Sequence, residues 1–101
     1  MKVVRRRRAT QDIDENAAYI AARNPQAAYQ FLEMVEETFD LLARHPRIGS
    51  RRLDHVIAGL RAVPVRTLPS YIVLYFVSDG RVQIVRVVHA SRDLEALLKA
   101  P

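Results

Sequence analysis

From Tyr71 to Val77 seven consecutive residues are apolar, and a second β-prone run extends from Val82 to Val88 with Asp79-Gly80 between them. Asp-Gly joining two such runs predicts a hairpin, because both central residues of a type I′ turn need positive φ. The first run does not alternate, which predicts an interior strand covered on both faces. Upstream the period changes. Ala28, Phe31, Leu32, Val35, Phe39 and Leu42 recur at helical spacing between Pro25 and Arg44, with Glu33, Glu36, Glu37 and Asp40 opposite them. Ile13, Ala17, Ile20 and Ala21 mark an earlier helix. Thr10 or Asp12 is its candidate cap, and Asp12, Asp14 and Glu15 then fall in its first turn, where carboxylates suit the positive helix end. Asn24-Pro25 ends that helix near Arg23 and starts the next, supplying a cap and a first-position proline. The two helices should fold back as an antiparallel hairpin, ended by His45-Pro46 and Gly49.

Lys2 to Arg8 reads as a short first strand whose only apolar residues are Val3 and Val4. Residues 46–59 form a basic, irregular connector. Leu60 to Thr67 predicts a strand, but Pro64 cannot donate to a ladder and places it at an edge or a bulge. After the hairpin, Ser91 or Asp93 caps a short last helix through Leu94, Leu97 and Leu98. The order β-α-α-β-β-β-α describes one α+β domain over residues 1–101: a small, mostly antiparallel sheet with the N-terminal helical hairpin on one face. Two helices on one side cannot easily cover a strand apolar on both faces, so exposed apolar surface for a partner is expected on the hairpin and the sheet.

Charge changes this picture because it is segregated. Residues 1–10 carry five bases and no acid; residues 11–45 carry seven acids against Arg23 and Arg44; residues 46–101 carry nine bases against four acids. The net +5 therefore divides into +5, −5 and +5. A basic surface attracts polyanions or an acidic partner segment, unless it is only a solvated face. The absence of cysteine excludes a disulfide framework and a thiolate metal site, and fits a reducing compartment. No apolar run approaches the ~20 residues of a membrane span, and no apolar segment of signal-peptide type follows the basic start. With only Gly49, Gly59 and Gly80 there is no phosphate-cradling loop. Acids at amphipathic spacing on the helices, with no cluster of them near His89, argue against a Mg²⁺ nuclease. The Arg5–Arg8 run can contact phosphates, but the long acidic helix would repel a nucleic-acid groove.

Arg86, His89 and Arg92 gather where the last strand runs out. Metal-independent phosphodiester cleavage needs a base for the 2′-hydroxyl, cations for the growing phosphate charge and an acid for the leaving oxygen. Arg66, Arg86 and Arg92 offer cations and His89 a base or acid, although His89 equally suits a hydrogen-bonding role that ends the strand. Alternation places Arg86 on a face with Val82, Ile84 and Val88, where it needs a partner. Asp93 or Asp79 could pair with it bidentately, or the partner is a bound one. Arg61 is placed to face a partner across the open sheet. Tyr71 and Tyr75 share one face with Val73 between them, as core residues would.

Taken together these residues resemble the RelE/ParE superfamily of type II toxin–antitoxin toxins, and most closely its ParE branch. The resemblance runs from about Ala9 to Leu98. It rests on Asp12-Ile13, Ala17, Tyr19-Ile20, Asn24-Pro25, Ala27-Ala28 and Phe31; on Leu42, Pro46 and Gly49; on Leu60-Arg61 and Tyr71 to Tyr75; and on Ile84 to His89 with Arg92-Asp93. It implies a small cytoplasmic bacterial toxin neutralised by a ParD-like antitoxin in a hetero-oligomer; from the residues, no cofactor or metal is expected. ParE-like members poison DNA gyrase, whereas RelE-like members cut mRNA on the ribosome. A gyrase-binding toxin would use Arg61, Arg86, His89 and Arg92 toward its target, and an endonuclease would use Arg66, His89 and Arg92. A toxic function can also be lost, leaving a basic interaction domain on the same scaffold. The candidate antitoxin contacts are Tyr29, Phe31, Arg47, Arg51 and Arg52. Three departures disfavour cleavage: the last helix has Leu97 and Leu98 but no aromatic residue, Ile72 stands where RNase relatives can carry arginine, and the connector has no lysine.

Overall fold

A computed structural model describes residues 1–100; Pro101 lies outside the described residues. The elements are β1 (Lys2–Arg5), α1 (Arg7–Ala21), α2 (Pro25–Arg44), β2 (Arg61–Val65), β3 (Leu68–Ser78), β4 (Arg81–His89) and α3 (Leu94–Lys99). The sheet order is β1-β4-β3-β2, with β1 parallel to β4 and the other pairs antiparallel. The expected α+β architecture is therefore present, including the helical hairpin on one face.

Local chemistry accounts for most boundaries. Asn24 caps α2 by accepting from the Ala27 N–H, with Pro25 in the first turn. Asp93 caps α3 by accepting from Ala96. The β3–β4 turn has φ of 54° at Asp79 and 72° at Gly80, as a primed turn requires. β2 is an edge strand whose register shifts between Pro64 and Val65, which relieves the missing proline donor.

Three expectations need correction. The first strand ends at Arg5, and α1 starts at Arg7 with no side-chain cap, so neither Thr10 nor Asp12 caps it. What decides its start is tertiary: Ala9, Asp12 and Ile13 are all buried against the sheet. Leu32, assigned to the buried stripe of α2, is 37% exposed; the buried face runs instead through Phe31, Val35, Thr38, Phe39 and Leu42. Finally, a bulge at Leu74/Tyr75 sets Leu74 opposite Arg86 and Tyr75 opposite Ile84, leaving Val85 unmatched on β4. A surplus residue shifts side-chain alternation. Val82, Ile84 and Val87 therefore lie in one core and Val88 in the other, and Arg86 does not continue a common face with all of them.

The sheet separates two cores. On the helical side Phe31, Val35, Phe39 and Leu42 of α2 meet Val73, Tyr75, Val82, Ile84 and Val87. On the other side Leu53 and Leu60 of the connector and Leu94 of α3 cover Ile72, Leu74 and Val88. Ile72 to Tyr75 is accordingly buried without interruption. The far face is thus covered within the chain: the connector and α3 fold over it, which sequence periodicity could not reveal for an irregular segment.

The charge partition is also partly cancelled on folding. The basic N-terminal arm lies against acidic helix surface, where Arg5 pairs with Glu36, and Arg8 sits 3.5 Å from both Asp12 and Glu15.

Candidate functional site

The end of the sheet that carries His89 is built from β4 outward. β1 pairs only as far as Ile84, with a last bond from the Arg6 N–H to the Ile84 carbonyl. Beyond that point β4 has an open edge, and buried backbone groups there need partners. Two α1 side chains one helical turn apart supply them. The Asp12 carboxylate accepts from the Val87 N–H at 3.0 Å, and the Asn16 amide donates to the Val87 carbonyl at 3.1 Å. Asp12 also accepts from Arg86 Nε at 2.7 Å and Nη2 at 3.1 Å. Asp12 is 3% exposed and the Arg86 side chain 12%. The internal partner of Arg86 is therefore Asp12, and neither Asp93 nor Asp79. Its guanidinium is neutralised within the fold, which argues against Arg86 as a target-binding cation.

Arg61 is committed to the fold as well. It lies opposite Tyr75 in the ladder, and the two side chains hold the 46–49 loop together. Arg61 Nη1 donates to the carbonyls of Arg47 (3.1 Å) and Gly49 (3.0 Å). The fully buried Tyr75 hydroxyl accepts from the Gly49 N–H at 2.9 Å and donates to the Pro46 carbonyl at 2.8 Å. Burial pushes the Tyr75 hydroxyl above its ordinary pKa of 10.0, with the Gly49 bond and Arg61 pulling the other way. Tyr71 and Tyr75 both belong to the helix-side core, as their spacing predicts.

His89 and Arg92 part at the end of β4. His89 lines a cleft of about 540 Å³ together with Asn16, Tyr19, Arg23, Tyr71 and Ser91. Its ring meets Tyr71 edge-on with centroids 5.1 Å apart, and Tyr71 in turn leans on Phe31 at 4.8 Å. Arg92 lines a different cleft of about 510 Å³, shared with Arg52, His55 and Glu95 among others. There His55 Nε2 lies 2.7 Å from Glu95, tying the connector to α3. Arg66 lines neither cleft; its N–H donates to the buried Thr38 hydroxyl at the β2–β3 turn. The three residues expected for cleavage therefore come to one end of the sheet without lining one cavity.

Among the candidate antitoxin contacts, Phe31 is fully buried in the core and cannot present surface. Tyr29 is 70% exposed and borders a groove of about 300 Å³ with Ala17, Ala18, Ala21, Pro25, Ala28 and Leu32. Arg47 and Arg52 are exposed, and Arg51 pairs with Asp54 at 2.9 Å. Sequence reading missed Asn16, Tyr19 and Arg23 as members of the His89 cleft. A signal was present: Asp12 and Asn16 are polar positions one turn apart beside the stripe Ile13, Ala17 and Ile20.

Residues 3–94 match the family described as ParE toxin of type II toxin-antitoxin system, parDE. Toxin RelE2 of Caulobacter vibrioides is 38% identical over 85 residues, which cover 84% of this chain and 90% of that protein. The solved structure of a chromosomal ParDE TA system from P. aeruginosa has the same fold, with a TM-score of 0.75 at 19% identity over 88% of this chain and 95% of the other.

Proposed function

Because this chain belongs to the ParE toxin family of type II toxin–antitoxin systems, within the RelE/ParE superfamily, we propose that it acts by binding, with DNA gyrase as its target. The observation that carries this reading is the dispersal of the cleavage candidates. Arg86 is neutralised by Asp12, and His89 and Arg92 line separate clefts, neither of which Arg66 lines. Transition-state charge on a phosphate is stabilised only by groups already aimed at one point. Of the cations expected to face a target, Arg86 and Arg61 are committed within the fold, and Arg92 is left on its cleft.

A ParD-like antitoxin would neutralise the toxin in a hetero-oligomer by covering the outer face of the helical hairpin. Tyr29 and Leu32 are exposed there at 70% and 37%, beside the groove floored by small residues. Of the two faces expected to await a partner, only this one remains open, since α3 and the connector cover the far side of the sheet. A cytoplasmic location follows from the same reading.

The second reading, ribosome-dependent mRNA cleavage using Arg66, His89 and Arg92, is favoured by one finding: the 38% identical relative bears the name Toxin RelE2. Supercoiling and DNA-cleavage assays with purified gyrase, run beside a translation reaction with intact ribosomes, separate the two. Gyrase inhibition with intact mRNA is the expected result. Ribosome-dependent cuts that vanish in His89→Ala or Arg92→Ala would replace it with the endonuclease.

A further inference from the structure

The His89 cleft has a chemistry that neither packing nor the Asp12 pair explains. Tyr19 and Tyr71 supply two aromatic walls, and the Arg23 guanidinium lies over the Tyr19 ring at 4.8 Å. No carboxylate lines the cleft, and among the described residues Arg23 has no carboxylate partner. Two hydrogen-bonding groups have their roles set by neighbours. The Ser91 hydroxyl and N–H lie 2.7 and 3.1 Å from His89 Nδ1; with Nδ1 accepting from that N–H, Nε2 is the nitrogen left to donate. Asn16 gives its NH₂ to the Val87 carbonyl, which fixes the amide orientation and leaves Oδ1 as an acceptor. The cleft therefore offers stacking faces, hydrogen-bond donors and acceptors, and the Arg23 cation in about 540 Å³, a size that suits a small ligand.

We propose that this cleft is a single-nucleotide site, which takes one unstacked base of single-stranded nucleic acid against Tyr19 and Tyr71 and its phosphate on Arg23. Every base has a π-face for the tyrosines and an edge that both donates and accepts hydrogen bonds. Arginine suits the phosphate and can also stack. A protein segment fits less well, because the apolar groove for one lies elsewhere on the hairpin, bordered by Tyr29 and Leu32. The inference rests on the chemistry of the cleft and not on which target the toxin has.

The test is an NMR titration of the ¹⁵N-labelled full chain with adenosine and uridine 5′-monophosphates, the matching nucleosides, and inorganic phosphate. Nucleotides should shift the signals of Asn16, Tyr19, Arg23, Tyr71 and His89 saturably, with nucleosides weaker and phosphate weakest. Tyr19 is 59% exposed and Arg23 is exposed, so Tyr19→Ala and Arg23→Gln should fold normally. Loss of the stacking face should weaken affinity about tenfold, and Arg23→Gln should weaken it several-fold and remove most of its salt dependence. Arg81→Gln, which deletes the same charge at the distant β3–β4 turn, should change nothing. Equal shifts from phosphate alone would make this a plain anion site and overturn the proposal. Shifts centred on Arg5 to Arg8 would overturn it in favour of electrostatic adhesion. Filling of the cleft by an acidic peptide, with no nucleotide response, would overturn it in favour of a protein partner.

Discussion

Replacing Asp12 by alanine should be among the most damaging single changes in this protein. Its carboxylate is 3% exposed and answers three donors at once: Nε and Nη2 of Arg86 and the N–H of Val87. Removing one member of a buried pair strands the other charge, at about 3–5 kcal/mol. Arg86 at 12% exposure can still reach some water, which favours the lower end, but the Val87 N–H loses its acceptor as well. We therefore expect a loss of about 3 kcal/mol, out of the 5–15 kcal/mol typical of a domain. For a chain of this length that corresponds to a fall in Tm of about 15 °C. Arg86→Met should cost somewhat less, about 2 kcal/mol, because Asp12 keeps the Val87 N–H and Arg8 at 3.5 Å. The double variant should lose less than the sum, with a coupling of about 1.5 kcal/mol or more. Urea unfolding followed by circular dichroism at neutral pH measures all three. A single Asp12→Ala cost below about 1 kcal/mol, or additive effects, would refute the claim that this pair docks α1 on β4.

Gly49→Ala would place a Cβ 2.5, 2.8 and 2.9 Å from the hydroxyl oxygen, Cε1 and Cζ of the buried Tyr75 ring, and should cost about 3 kcal/mol in the same unfolding assay. Tyr75→Phe leaves the Gly49 N–H and Pro46 carbonyl unpaired and should cost about 2 kcal/mol. Because burial raises the Tyr75 pKa above 10.0, the wild-type residue contributes stability that is present below that pH and lost as pH rises through its folded value; the phenylalanine variant should show a shallower alkaline decline. The Asp54 carboxyl lies below its ordinary 3.8, first because the Gly59 N–H donates to it and then because of Arg51. Its contribution is present above pH 3.8 and lost as pH falls through the lower folded value, so the Gly59 amide signal should move in that acid range and stay still in Asp54→Asn. Charge reversal at Arg52 should slow antitoxin association several-fold at low salt and little at high salt, measured by stopped flow. Arg52 is a cleaner site for this than Arg51, whose reversal would also break its pair with Asp54.

Much of this protein is written locally. Helical spacing between Pro25 and Arg44, the Asn24-Pro25 corner and the Asp79-Gly80 turn follow from short-range backbone chemistry and were legible from the residues, as were the last cap, narrowed to Ser91 or Asp93, and the edge or bulge at Pro64. What stayed hidden depends on which distant groups meet. The bulge at Leu74/Tyr75 reverses the alternation of β4, so a strict period of two misassigned the faces around Arg86. The partner of Arg86 comes from a helix 74 positions away, because β1 ends early and leaves β4 with backbone groups that only α1 can reach. The connector carries no period to read, yet it and α3 close the second core over the far face of the sheet. The site shares this origin. His89 was visible as a candidate, but Asn16, Tyr19 and Arg23 join it only because Asp12 and Asn16 dock α1 along the open edge of β4. Local sequence can specify a turn or a cap through bonds within a few residues; a cleft between a helix and a strand edge exists only once both have packed.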